Sequence, residues 1–218
     1  MAAQRPGDQY IEVGDIRTRY WVLGNGQPPV ILLHGLGGYK ENWDLNITAL
    51  AQARQVYALD LPGFGLSDKP EVEYTIPYLT DFLYKFMQTL EIERATLIGE
   101  SMGSMISLWF AWQYPDRIEK LVLAASGGLG KEVSIYLRIM TLPILGEYFV
   151  RPSRSGSEDL QKMLFYDQDL IIDEWIEEDY QMSLLPGAQR CLLSALRSMG
   201  NIWGFKRDVY KPILENLE

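Results

Sequence analysis

Gly99-Glu100-Ser101-Met102-Gly103 sets a serine between two glycines at the spacing G-x-S-x-G. It follows the apolar run Ala95-Thr96-Leu97-Ile98 and opens an apolar stretch with helical character over 102–114. A strand that becomes a helix within one residue forces an unusual backbone conformation on the corner residue. The positions two before and two after must then be very small, or their side chains collide across the turn. Gly99 and Gly103 meet that demand. Such a turn projects the Ser101 hydroxyl out of the sheet. The helix starting at Met102 aims its free N–H groups and positive dipole end at developing negative charge. The chemistry indicated is that of a nucleophilic hydroxyl beside anion-stabilising amides.

A second cluster, His34-Gly35-Leu36-Gly37-Gly38, follows the apolar run Val30-Ile31-Leu32-Leu33. Gly35 and Gly37 let the backbone turn sharply and present an N–H, the second donor that an oxyanion hole needs. The two donors are therefore expected to be the main chains of Leu36 and Met102. His34 reads as a brace for this loop rather than as a general base, because the loop's backbone is what faces the reaction. The stretch Asp60-Leu61-Pro62-Gly63-Phe64-Gly65-Leu66-Ser67-Asp68 is glycine-rich, yet it lacks the lysine and the G-x-x-x-x-G-K-[ST] spacing of a phosphate cradle. It reads as a sharply turned loop.

These clusters need elements to hold them. Residues 10–13 and 17–23 read as two short strands around the Gly14-Asp15 turn. Val30–Leu33, Val56–Leu59, 95–98 and 120–125 are apolar runs of the kind buried on both faces of a parallel sheet. Helical spacing occupies 43–53. Leu79, Phe82, Leu83, Phe86, Met87 and Leu90 then form one apolar stripe behind Thr75 as N-cap. Strand and helix alternate from 30 to 125, so the fold class is α/β, a mostly parallel sheet with helices on both faces. After Ser126 the pattern turns helical: 132–142, 158–166 behind Ser157 as N-cap, 174–185 after Asp173, and 189–199 ending at Gly200. The chain divides into a core, 1–126, a helical cap, 127–206, and a return segment, 207–218, without another strand.

Composition limits the functions. The chain has 218 residues, 20 basic against 29 acidic, for a net charge of −9. Affinity for nucleic acid rests on neutralising phosphates, so a nucleic-acid partner is not expected. The one cysteine, Cys191, excludes an internal disulfide framework. Residues 1–9 lack a signal-peptide pattern, and no uncharged apolar run is long enough to span a bilayer; a cytoplasmic protein is the expectation. Acidic residues gather between Glu158 and Asp179 with no histidine among them, which reads as a solvated helix face rather than a metal site. No cofactor is implied, and the oligomeric state is left open.

The His34-to-Gly38 loop, the Asp60-to-Asp68 loop and the Gly99-to-Gly103 pentapeptide, in this order, resemble the α/β-hydrolase superfamily. Tyr114-Pro115-Asp116-Arg117-Ile118, leading into the next strand, adds to the likeness. The resemblance covers about residues 10–126, and 127–206 is similar to that family's cap. It implies a sheet mixed at one edge and a serine, acid and histidine triad with Ser101 as nucleophile. The triad's order places acid and histidine after the serine. Here the sole histidine, His34, precedes it, and the alternative acid position reads Ser126-Gly127-Gly128. Two strands and two catalytic residues of the family pattern have no counterpart. The chain is thus read as the N-terminal core plus cap of such a hydrolase, cut short and poorly active alone.

Serine at the corner sets aside the branches that use an aspartate nucleophile there. Ester hydrolysis through an acyl-enzyme is the favoured chemistry. Carbon–carbon bond hydrolysis of ring-cleavage products is the alternative, weakened by the absence of a Gly-Pro-Gly-Ala extension in the oxyanion loop. A ligand-binding protein that has lost catalysis is a further alternative. Ile135, Tyr136, Leu137, Ile139, Met140, Leu142, Ile144, Leu145, Tyr148 and Phe149 make the cap rich in apolar side chains, so a small apolar ester is the expected substrate.

Overall fold

The computed structural model describes residues 5–216. The chain opens with strands β1, Gln9–Val13, and β2, Ile16–Leu23, joined through Gly14 at φ +61°, a left-handed value that favours glycine. Then come β3, Val30–Leu33, helix α1, Asp44–Leu50, and β4, Val56–Leu59. Helix α2, Ile76–Thr89, leads to β5, Ala95–Glu100, helix α3, Met102–Gln113, and β6, Ile118–Ala124. The spatial order is β1-β2-β4-β3-β5-β6. β2 runs antiparallel to β1 and β4, whereas β3, β4, β5 and β6 are mutually parallel. The expected α/β sheet, mixed at one edge, is the one observed.

Strand alternation sorts the apolar side chains into two layers. Ile31, Leu33, Leu59 and Leu97 pack with Phe82 and Phe86 of α2 and Ile106 and Phe110 of α3. Val30, Leu32, Val56 and Ala58 pack on the other face with Trp21, Trp43 and Ile47. Thr75 caps α2 as its sequence suggests, its Oγ1 accepting the Tyr78 N–H at 3.2 Å. The helical spacing over 43–53 resolves into a 3-10 turn, Lys40–Trp43, followed by the shorter α1.

β6 departs from the expectation of a fully buried strand. It is the outermost strand of the sheet, and Val122 is 47% exposed. Its apolar alternation supplies residues for both faces, but no described strand pairs with its outer edge.

Beyond β6 lie α4, Ile135–Met140, α5, Leu145–Phe149, α6, Arg154–Leu164, α7, Asp173–Ser183, and α8, Ala188–Met199. The N-cap of α6 is Ser153, whose Oγ accepts the Gly156 N–H; Ser157 is buried one turn further in. Asp173 is the first residue of α7 rather than the residue before it. Gly200 ends α8 in an extended conformation and starts a small hairpin, β7, Gly200–Asn201, with β8, Gly204–Phe205. The return segment is helical: α9, Arg207–Asn216, docks on α3, with Trp109 Nε1–H donating to the Val209 carbonyl at 2.9 Å.

Cys191, Ala195 and Met199 place α8 in the main core, beside Val209 and Ile213 of α9. By contrast Ile135, Ile144, Leu145, Tyr148 and Phe149 stand largely in solvent, Ile144 at 81% exposure, and Met140 alone among the cap's apolar set is buried. The acidic stretch is only partly a solvated face. Glu178 and Glu174 pair with Arg5, and Asp173 and Glu177 with Arg154. Burial pushes the Asp179 carboxyl above its ordinary value, against the Ser157 hydroxyl that hydrogen-bonds it. No helix among the described residues is long and apolar enough to cross a membrane.

Candidate active site

Ser101 sits between β5 and α3 with φ +50° and ψ −109°. A non-glycine residue at positive φ is strained by about 1–3 kcal/mol and persists where its surroundings over-determine it. They do so here. The Ser101 N–H donates to the Ala124 carbonyl at 3.0 Å, and its own carbonyl accepts the Ser104 and Met105 N–H groups at 3.1 and 3.2 Å. The Ser104 hydroxyl is shared between the carbonyls of Gly99, at 2.6 Å, and Ala124, at 3.1 Å. A Cβ on Gly99 would run into the Gly103 carbonyl group, and one on Gly103 into the carbonyl oxygen of Leu33. Both flanking positions are therefore closed to any other residue, as the pentapeptide's spacing suggests.

The loop after β3 crosses beside this corner. Its later amides are occupied. Gly38 N–H donates to the Gly35 carbonyl at 3.1 Å, Tyr39 N–H to Asn42 Oδ1 at 2.9 Å, and Lys40 N–H to Asp60 Oδ1 at 2.7 Å. The Leu36 and Gly37 N–H groups meet no acceptor among the described residues. Gly37, at φ +78°, lies under α8, where a Cβ would stand 3.0 Å from Leu192 Cδ1. Met102 is the first residue of α3, so its N–H has no intrahelical partner.

His34 is fully buried and fully used. Nε2 accepts the Leu61 N–H at 3.0 Å, which puts the proton on Nδ1, 2.8 Å from the Gly35 carbonyl oxygen. Burial pushes its pKa down to about 4, against the opposing pull of the Gly35 carbonyl and Glu41. An imidazole with neither nitrogen free cannot take a proton from Ser101. Its two contacts tie the loop after β3 to the turn after β4.

The Asp60-to-Asp68 turn is held by its own first residue. Asp60 accepts the Lys40 N–H and the Leu66 N–H, at 2.7 and 2.8 Å, and lies 3.4 Å from Arg19. Burial, with Glu41 adding, pushes its carboxyl up to about 6 against the pull of Arg19 and the two amides. Arg19 also pairs with Asp8 and Glu41, at 2.7 and 2.6 Å, and Lys40 with the same two carboxylates, at 2.9 and 2.6 Å. Lys40 Nζ rests 3.6 Å from the Trp21 ring centroid, wholly out of solvent. This five-membered charge cluster ties the loop after β3 to the loop after β4. Sequence reasoning missed it, because its members are scattered from residue 8 to residue 60. Among the described residues, no three His, Cys, Asp or Glu side chains group so as to hold a metal ion.

The family model for the alpha/beta hydrolase fold matches residues 28–171, a span that contains every one of these loops. The chain belongs to the α/β hydrolase fold family. An uncharacterized protein of Mycobacterium tuberculosis is 34% identical over 142 residues, 65% of this chain and 41% of its own length. The 2-hydroxy-6-oxo-6-(2'-aminophenyl)hexa-2,4-dienoic acid hydrolase of Metapseudomonas resinovorans is 34% identical over 217 residues, 95% of this chain and 72% of its own. A crystallised meta-cleavage product hydrolase, 31% identical, superposes with a TM-score of 0.74 over 85% of this chain and 67% of its own. The chain thus spans well under half of the mycobacterial relative. As an α/β hydrolase it carries the strand-to-helix serine corner and the loop after β3. The sheet's edge, however, stays at β6.

Proposed function

We propose that this α/β hydrolase is a serine hydrolase acting on a small carboxylic ester with an apolar portion. The single observation that carries the reading is the forced left-handed corner at Ser101, set beside open amides. Ser101 Oγ attacks the carbonyl carbon, and the oxyanion is received by the N–H groups of Leu36 and Met102. Alcohol departs, and water releases the acid from the acyl-enzyme. Residues 127–206 act as a cap, with Leu192 over Gly37 as its point of approach to the loop. No cofactor or metal enters this scheme.

The 218-residue chain by itself turns over slowly. Its one histidine is committed to Leu61 and the Gly35 carbonyl, and a serine hydroxyl without a base is a poor nucleophile. In serine proteases, loss of the triad histidine lowers kcat roughly a millionfold, leaving about 10³–10⁴ over water. Turnover of p-nitrophenyl acetate, with and without added imidazole as an external base, tests the reading. Once imidazole's own cleavage of the ester, measured without protein, is subtracted, a slow rate that imidazole raises in the wild type and not in Ser101→Ala is expected. Equal rates in the two proteins contradict it. Lengthening the acyl chain examines the apolar preference.

Carbon–carbon bond hydrolysis is the second reading. The dienoic acid hydrolase and the meta-cleavage product hydrolase support it. Loss of colour of a 2-hydroxy-6-oxo-dienoate, faster than that of any ester at equal concentration, would move the assignment to this class.

A further inference from the structure

Glu100 precedes the serine and has no role in the scheme above. Alternation along β5 turns Gly99 toward α3, where Gly103 blocks any Cβ, and Glu100 to the opposite side with Ile98, which packs against the second apolar layer. On that side the carboxylate meets the loop after β3. Oε2 occupies the space that a Cβ on residue 35 would need, and Ser101 Cβ borders the same spot, 3.3 Å from it. Only a glycine at 35 lets the carboxylate come so close to the backbone. Burial raises the Glu100 carboxyl above its ordinary value, and the Gly35 N–H draws it back down. Among the described residues no cation pairs with it, and what borders its oxygen is the backbone at Gly35.

A buried carboxylate beside a nascent oxyanion is electrostatically unfavourable, so its charge does not help the reaction directly. Its geometry does. With Glu100 Oε2 lodged against Gly35 and the Gly38 N–H bonded to the Gly35 carbonyl, the Leu36 and Gly37 amides are the ones left open, Leu36 being the first after the contact. We propose that Glu100 is a positioning residue: by accepting the Gly35 N–H it fixes the peptide that aims the Leu36 N–H beside Ser101. This inference rests on the serine-hydrolase reading for its purpose, but its contact is testable alone.

Residue-resolved hydrogen exchange on the full chain at neutral pH measures that contact. Removing the acceptor in Glu100→Ala is expected to speed exchange of the Gly35 amide about tenfold or more, the effect of about one hydrogen bond to a charged group. Glu100→Gln keeps a carbonyl acceptor at the same reach and is expected to stay within about threefold of wild type on the same scale. The Leu61 amide, held by His34, stays constant in both and reports an intact fold. Should Glu100→Ala fail to fold, Glu100→Asp serves, since a shorter side chain loses the contact while keeping the charge. Unchanged Gly35 exchange in Glu100→Ala, or in Glu100→Asp where that variant stands in, overturns the proposal. So does a Glu100→Gln protein that loosens as much as the alanine variant. Acetylation of Ser101 by p-nitrophenyl acetate separates the two readings: its absence in wild type removes the hydrolase, while the Gly35 result still decides the role of Glu100.

Discussion

His34 Nε2 accepts the Leu61 N–H at 3.0 Å, so the chain's only imidazole joins the end of β3 to the turn after β4. This bond needs a neutral ring. The unfolded chain takes up a proton near pH 6.5, whereas folded His34 refuses it until about pH 4. The stability that the ring contributes is complete above 6.5, declines as pH falls, and is gone by about 4; the difference amounts to about 3 kcal/mol. Asp60, raised to about 6, acts with the opposite sign over nearly the same range. The wild-type curve alone is therefore flattened. Subtracting the unfolding free energy of His34→Gln at each pH isolates the ring: the difference should climb from pH 4 to 6.5 and then level.

Lys40 is wholly buried between Asp8 and Glu41. Its removal leaves Glu41, itself buried, sharing only Arg19 with two other carboxylates. Breaking a buried pair from one side costs about 3–5 kcal/mol. Denaturant titration of Lys40→Ala should show a loss in that range, and adding Glu41→Gln should recover part of it. A double variant weaker than the single one would show that the cluster is not coupled.

The corner is intolerant of one methyl group. Gly103→Ala drives a Cβ into the Leu33 carbonyl oxygen, which is backbone and cannot yield as a flexible side chain would. A loss of about 3 kcal/mol or more is expected. Ser101→Ala, which removes only a half-buried hydroxyl, should unfold within about 1 kcal/mol of wild type. Thermal melts of the two variants compare them directly.

What was readable in advance follows from the range of the forces involved. Thr75, Gly99, Ser101 and Gly103 announce themselves because caps and tight turns are decided by residues within a few positions of one another. The Lys40 cluster does not, since Asp8, Arg19, Glu41 and Asp60 meet only after the sheet has formed. A lysine between polar neighbours reads as surface until the fold surrounds it. Ser153 and Ser157 both suit a cap, but Ser157 lies buried within the helix, and the cap falls to Ser153 one turn earlier. α9 went unnoticed because Pro212 interrupts its pattern, while docking on α3 sustains it. Glu100 gave no signal at all, as a carboxylate at a variable position of the pentapeptide has no meaning until Gly35 lies beside it.

Among the described residues no strand pairs with the outer edge of β6, and Val122 is exposed on that strand. Unpaired apolar edges template association, and a lysine placed outward blunts them. Val122→Lys should lower the light scattering of concentrated solutions while leaving the melting temperature within a few degrees of wild type, the shift expected of a surface substitution. Equal scattering from both proteins would mean that association uses another surface, such as the exposed side chains of α4 and α5.

In the proposed reaction Ser101 carries the reacting oxygen. Peptide mapping by mass spectrometry after long exposure to excess p-nitrophenyl acetate tests it without requiring turnover. An acetyl group on Ser101 is expected, absent from Ser101→Ala and appearing faster when imidazole is added. Acetyl groups confined to surface lysines, with Ser101 unmodified in the presence of imidazole, would contradict it.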